Sequence, residues 1–262
     1  MSSSYSLYVD RDTFLHRLDA RATLALAGAV FVAAYVFADP RFVAVPLGVS
    51  VLGLAWAGAL RNLRRVWFVV VALFVFGIVV WTGFTPPTGP VVVSVPVLGA
   101  VTEGQLAVAL GRSIRITTFI VGGLAFVSTN ANEEIVAGLR GLGLPYAFCF
   151  AVGTALRLFP TFFDAAGTVR QAQEARGLDV SASNPIARLR GYVPLLVPVF
   201  MTAFRNVETQ SMALEARGFD TRRDRTFYGA ASFDATDWAA TGLAVVVTVG
   251  AVALSAVGYG AV

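Results

Sequence analysis

Two stretches of this chain, residues 66–102 and residues 238–262, contain no charged side chain, whereas residues 129–237 hold 22 of its 36 charges. The hydrocarbon core of a bilayer is about 30 Å thick, and a helix crosses it with about 20 mostly apolar residues. Charge-free runs of this length beside a charge-bearing block read as membrane spans flanking a part that meets water. The overall charged fraction of 14% agrees, since soluble domains carry about 25%. The pattern excludes a soluble enzyme, a disordered tail and a nucleic-acid module, even though the isoelectric point is near 9.6. The basic balance comes from 20 arginines with no lysine, set against 16 acids. Those arginines lie beside hydrophobic segments, as membrane topology requires.

Four spans are evident at Ala22–Ala38, Phe42–Leu60, Val66–Phe84 and Trp238–Val257. A fifth, Gly104–Val127, is long enough but carries Arg112 and Arg115. Val36-Phe37-Ala38 resembles a signal-peptide cleavage site, but the region before it is long and acidic and further spans follow, so a retained helix is expected. Arg11, Arg17 and Arg21 precede the first span, Arg61, Arg64 and Arg65 join the second to the third, and eleven more arginines fall in 129–237. The opposite loops offer only Arg41 and then nothing charged across 85–102. Arginine bias therefore predicts the N-terminus and the 129–237 block inside and the C-terminus outside, a parity that five spans satisfy. The loop Thr85–Pro90 is a turn by composition, and Val91–Val101 after it is too short to span, which leaves an extended or re-entrant piece.

Arg112 and Arg115 stand three residues apart on one helix face. An intramembrane charge is a functional candidate, and the competing reading bonds both guanidiniums to backbone and neighbouring helices. Cys149 lies in an apolar run and reads as a packing residue. His16, the single histidine, stands between Asp12 and Asp19 and makes a poor metal site.

The inner block is built differently. Leu144–Phe163 is interrupted by Arg157 and Pro160, and Tyr192–Phe204 by Pro194 and Pro198, so neither is expected to span. Each is followed by a polar, helix-compatible stretch, Asp164–Leu178 and Arg205–Phe219, and these endings repeat. Ala172-Gln173-Glu174-Ala175-Arg176-Gly177-Leu178-Asp179 matches Ala213-Leu214-Glu215-Ala216-Arg217-Gly218-Phe219-Asp220 at six of eight positions. A lone Ala-Arg-Gly is a helix C-cap, with glycine taking the left-handed position and arginine favoured by the helix dipole. Two copies, each closing a polar helix, point further. Alanine permits close approach, arginine offers a planar fork to carboxylates, and glycine ends the helix so that its tip can enter a groove. Two equivalent tips call for two equivalent sockets, hence a dimeric or pseudo-dimeric partner.

These motifs, Ala175–Gly177 and Ala216–Gly218, resemble the signature of the transmembrane coupling (T) component of energy-coupling factor transporters, including the cobalt-permease type. Further matching pieces are His16–Arg21, Glu133-Glu134-Ile135 through Arg140, Leu156–Pro160, and Arg217–Asp220 with Arg225-Thr226. Ala20 departs from a frequent proline. The resemblance implies an all-α polytopic membrane protein of about five transmembrane helices, with long cytoplasmic coupling helices between the fourth span and the last. It divides the chain into an N-terminal tail with four spans (1–128), a coupling region (129–236) and a final span (237–262). It places the protein in a prokaryotic cell membrane, among lipid, between two ATP-binding-cassette ATPases (alike or different) and a membrane S component that binds a vitamin or transition-metal ion. Arg176 and Arg217 would pair with acidic groove residues of the two ATPases. Ala175, Gly177, Ala216 and Gly218 would allow the fit, and Glu174, Asp179, Glu215 and Asp220 would support the tips. ATP and magnesium would belong to the ATPases; this chain would have no catalytic residue, metal or cofactor, and no nucleic-acid partner. Leu144–Phe163 and Tyr192–Phe204 would form the platform for the S component.

Two other readings fit less well. A membrane-embedded enzyme needs clustered acids or histidines at the membrane face, and the four clear spans hold no acid. A self-sufficient secondary transporter predicts repeated spans around a midplane site, whereas the repeat here lies in the charged block.

Overall fold

The computed structural model describes residues 8–9, 11–95, 99–177, 185–219 and 233–260. They form an all-α polytopic membrane protein with one small hairpin, and fall into two compact units. Arg225, Thr226, Asp179 and Asp220 lie outside the described residues.

The first unit takes in residues 7–142 and 230–262. It holds α1 (Phe14–Arg17), α2 (Ala20–Val36), α3 (Pro40–Trp56), α4 (Leu60–Phe84), β1 (Val91–Val95), β2 (Gly99–Thr102), α5 (Glu103–Thr129), α6 (Asn132–Gly141) and α9 (Ala235–Ala256). Local chemistry sets the boundaries. Asp19 caps α2 by accepting the Arg21 backbone N–H at 2.8 Å, and Asp39 caps α3 by accepting that of Arg41 at 2.8 Å, with Pro40 at the first helical position. The five expected spans fall on α2, α3, α4, α5 and α9. α4, α5 and α9 are each long and apolar enough to cross a membrane, while α2 and α3 are shorter apolar helices of 17 residues. The piece at 91–102 is extended: β1 and β2 pair antiparallel with an irregularity between Val91 and Val93.

α5 is the centre of this unit and packs on α2, α3 and α4. Its inward face is made of small residues, Ala109, Gly111, Ser113, Thr118 and Gly122, all buried. Lipid is as apolar as a leucine side chain, so helices in a bilayer associate by close packing, which small residues permit. Gly111 shows the limit: a Cβ there would stand 2.5 Å from the Ala38 carbonyl oxygen, a backbone atom that cannot rotate away. Gly111→Ala is expected to destabilise the protein by about 1–3 kcal/mol, read as a lower midpoint in detergent thermal unfolding; an unchanged midpoint would contradict this packing.

Hydrogen bonds fix the helix directions. Asn62, in the first turn of α4, donates to Ser128 Oγ near the end of α5 at 2.9 Å. Thr23 in α2 donates to Asn130 Oδ1, just past α5, at 2.9 Å, and the Asp19 backbone N–H donates to Asp237 Oδ1 in the first turn of α9 at 2.8 Å. α2, α4 and α9 therefore start at the end where α5 finishes, the alternation the arginine bias requires. Arg17, Arg21, Arg61, Arg64 and Arg65 gather at this end. At the opposite end the Gly260 carbonyl accepts the N–H groups of Ala38 and Asp39 at 2.8 and 3.0 Å.

The second unit contains α7 (Tyr146–Ala175) and α8 (Pro185–Ala216), which pack on each other. The apolar run from Tyr146 to Phe163 and the polar stretch after it form one continuous 30-residue helix, which by length and composition alone is also long and apolar enough to cross a membrane. Pro160 removes one backbone donor, but the helix keeps its ladder on both sides. α8 likewise runs 32 residues through Pro194 and Pro198.

Candidate functional site: two exposed helix ends

The second tip is a complete Schellman motif. α8 ends at Ala216; the Gly218 N–H donates to the Glu215 carbonyl at 2.9 Å and the Phe219 N–H to the Leu214 carbonyl at 2.9 Å. This pair of bonds satisfies carbonyls that the helix end would otherwise leave open. It needs a left-handed residue after the C-cap, and Gly218 supplies it with φ of 64°. The first tip repeats the geometry as far as it is described: Arg176 is the C-cap of α7, the Gly177 N–H donates to the Glu174 carbonyl at 3.0 Å, and Gly177 has φ of 89°. Leu178, the residue that would complete the second bond, lies outside the described residues. The two motifs of the sequence are thus helix caps, as the simple reading has it, and they are also free surfaces. Ala175, Arg176, Gly177, Ala216, Arg217 and Gly218 are all exposed. A Cβ at either glycine would meet nothing within 4 Å; the left-handed backbone, not crowding, demands glycine.

Neither guanidinium has an ion pair among the described residues. Glu174 is engaged elsewhere, accepting from Arg170 Nε at 2.7 Å one turn back, and Glu215 is exposed. Each tip therefore offers an unpaired planar fork at a helix C-terminus, a geometry suited to bidentate carboxylate recognition. The structure brings the six motif residues into two like surfaces but not into one site. The ring of Phe219 lies 4.5 Å from that of Phe150 and 6.1 Å from that of Tyr146, so the α8 tip is seated on the first turns of α7. The other tip closes the far end of α7, roughly 40 Å away along the helix at 1.5 Å per residue.

The aromatic seat is a positioning element that sequence comparison of the motifs shows only as a Leu178/Phe219 difference. Its geometry makes the tips unequal, because the ring of Phe219 holds Arg217 to α7. Phe219→Ala is expected to loosen the second tip without unfolding α8, raising amide hydrogen exchange at 214–219 by at least about tenfold while 146–160 stays protected. Equal exchange in both proteins would show that the ring does not order the tip.

The intramembrane arginines are resolved in part. Arg115 donates from Nε to the Ala34 carbonyl at 2.8 Å and from a terminal nitrogen to the Phe37 carbonyl at 2.7 Å. It caps the C-terminus of α2, where orphan carbonyls and the negative end of the helix dipole both favour a cation. Arg112 lies over the Trp81 ring at 3.9 Å from its centroid. Cys149 is buried, and the Nδ1 of His16 is hydrogen-bonded to the Thr13 hydroxyl at 2.7 Å.

Nothing in the type or spacing of Asp237 marks it in the sequence. The residue is 3% exposed, and its carboxylate accepts the backbone N–H of Asp19 at 2.8 Å and of Asp234 at 2.9 Å. It joins the starts of α2 and α9 across 218 residues of sequence.

This combination defines a multi-pass helical membrane protein that displays two matched, exposed helix ends. Residues 11–228 match the family described as cobalt transport protein, CbiQ, and the chain belongs to that family. It is 29% identical over 254 residues to the energy-coupling factor transporter transmembrane protein EcfT of Limosilactobacillus fermentum, covering 94% of both chains. It is 29% identical over 232 residues to the EcfT of Thermosediminibacter oceani, covering 84% of this chain and 85% of that one. Against the EcfT of Bacillus subtilis the identity is 27% over 235 residues, covering 84% and 86%.

Proposed function

We propose that this protein is the non-catalytic transmembrane coupling subunit of an energy-coupling factor importer. Two ATP-binding-cassette ATPases, which hold ATP and magnesium, receive the tips at Arg176 and Arg217. Their closure on ATP moves α7 and α8, and that motion reaches a membrane S component carrying a vitamin or transition-metal ion. The N-terminus and the coupling region face the cytoplasm of a prokaryotic cell, with Glu174, Asp179, Glu215 and Asp220 flanking the tips. The exposed apolar side chains Phe148, Phe159, Phe163, Leu196, Phe200 and Phe204 supply the platform for the S component.

The observation that carries this reading is the pair of exposed Ala-Arg-Gly ends, each closed by a left-handed glycine, whose guanidiniums have no ion pair among the described residues. A helix cap alone needs no arginine left open to solvent at both ends. The test is co-expression with ATP-binding-cassette ATPases of the same organism, followed by purification on a tag carried by this chain. Two ATPase subunits per chain are expected; a chain that purifies intact without them would contradict the proposal.

A further inference from the structure

Arg112 is left over from both the fold and the coupling role. It is half-buried on α5, and its guanidinium stacks on Trp81 without any hydrogen bond or ion pair among the described residues. A cation over a ring face keeps its N–H donors, and since none of them is bonded among the described residues the fork is available to an oxyanion. Three residues on, Arg115 adds a second positive charge whose own donors are spent on the neutral carbonyls of Ala34 and Phe37. The acids at this end, Asp39 and Glu103, line a separate pocket with Arg41, Leu106 and Leu110. The cation pair therefore has no anion of its own among the described residues.

Its depth identifies the missing anion. Gly111 touches the chain at Ala38, just past the end of α2, and Trp81 is three residues from the end of α4. Arg112 thus sits where α2 and α4 reach their boundary, the level at which tryptophan and tyrosine meet lipid headgroups. Tyr35, under Arg115 at 5.5 Å, is 69% exposed at the same level. One turn deeper on the Arg112 face, Ile116 is 37% exposed and offers apolar surface to an acyl chain.

We propose that Arg112, stacked on Trp81, binds the phosphate of a phospholipid in the leaflet at the hairpin end of the molecule, with Ile116 against its acyl chain. The lipid supplies the negative charge that the protein lacks there. This inference is independent of the coupling role.

The full chain is purified in detergent, delipidated and titrated with phosphatidylglycerol, and bound lipid is counted by native mass spectrometry. Wild type is expected to hold one lipid at low loading. Arg112→Gln should weaken it by about tenfold or more, as loss of a charge-assisted pair requires. Arg112→Lys, which keeps charge without the fork, should fall between, and Arg41→Gln should behave as wild type. Inorganic phosphate at millimolar concentration should not displace the lipid. Equal lipid retention by wild type and both Arg112 variants would overturn the site. So would an equal loss in Arg41→Gln, which would mean unspecific attraction, or full displacement by inorganic phosphate, which would mean a free-anion site.

Discussion

A chain carrying Arg176→Ala together with Arg217→Ala is expected to insert into the membrane in normal amount and to retain no ATPase. The physical reason is that the two substitutions act where the fold spends nothing. Both side chains are exposed and unpaired among the described residues, and both caps are closed by backbone bonds that alanine at the C-cap leaves intact. Truncating one partner of a close interfacial charge pair costs about 2–5 kcal/mol, so a single variant should weaken attachment by roughly a hundredfold. The tips lie roughly 40 Å apart along α7, too far to share a partner side chain, so their losses should add. The double variant then loses about ten-thousandfold, beyond what the intact membrane interactions of a purified complex can hide. Each single variant keeps one anchor and a measurable fraction of its ATPase. The first tip should tolerate its loss better, because the Arg217 tip is the one seated on α7 by Phe219. Tagged-chain purification with ATPase quantitation reads all of this; full retention by the double variant would remove the coupling role.

The second large effect is on stability. Asp237→Ala should lower stability by about 2–3 kcal/mol, the range for losing a buried acceptor that serves two backbone donors. The Asp19 N–H and the Asp234 N–H would both lose their partner, and the starts of α2 and α9 would part. Asp237→Asn keeps one carbonyl acceptor and should cost less than half as much. Thermal unfolding of the detergent-solubilised chain orders the three proteins. The same junction should be acid-sensitive. The Arg21 side chain, hydrogen-bonded at 3.0 Å, holds the Asp19 carboxyl below its ordinary 3.8. A lowered carboxylate contributes fully above that ordinary value and is lost as pH falls through the folded one. Stability should therefore be flat near neutrality and decline below about pH 4.

Much of this architecture is written in the distribution of charge. The spans are legible because a bilayer imposes one crude requirement, apolar length, and the arginines give their direction. The tips are legible because a Schellman cap needs glycine at one position, and the recurrence of Ala-Arg-Gly 41 residues later marks the pair. What sequence misses is of another kind. Pro160 looks like a break, since a proline costs a helix one donor and a steric clash; whether a 30-residue helix absorbs that depends on the rest of its ladder. Arg115 looks like a stray charge until the end of α2 is placed beside it. Asp237 and Phe219 matter through partners 218 and 69 residues away, and no local pattern records a pairing across such distances.

If each tip contacts its own ATPase, photo-crosslinking from the tips themselves captures both contacts. With Cys149, the only native cysteine, replaced by serine, Ala175→Cys and Ala216→Cys are introduced singly and together, and a cysteine-reactive photo-crosslinker is attached in the assembled complex. Each single variant should yield one adduct with an ATPase subunit, and the double variant should yield a chain bonded to two. Adducts from only one tip, or from neither while the complex stays intact, would mean that the tips do not each hold an ATPase.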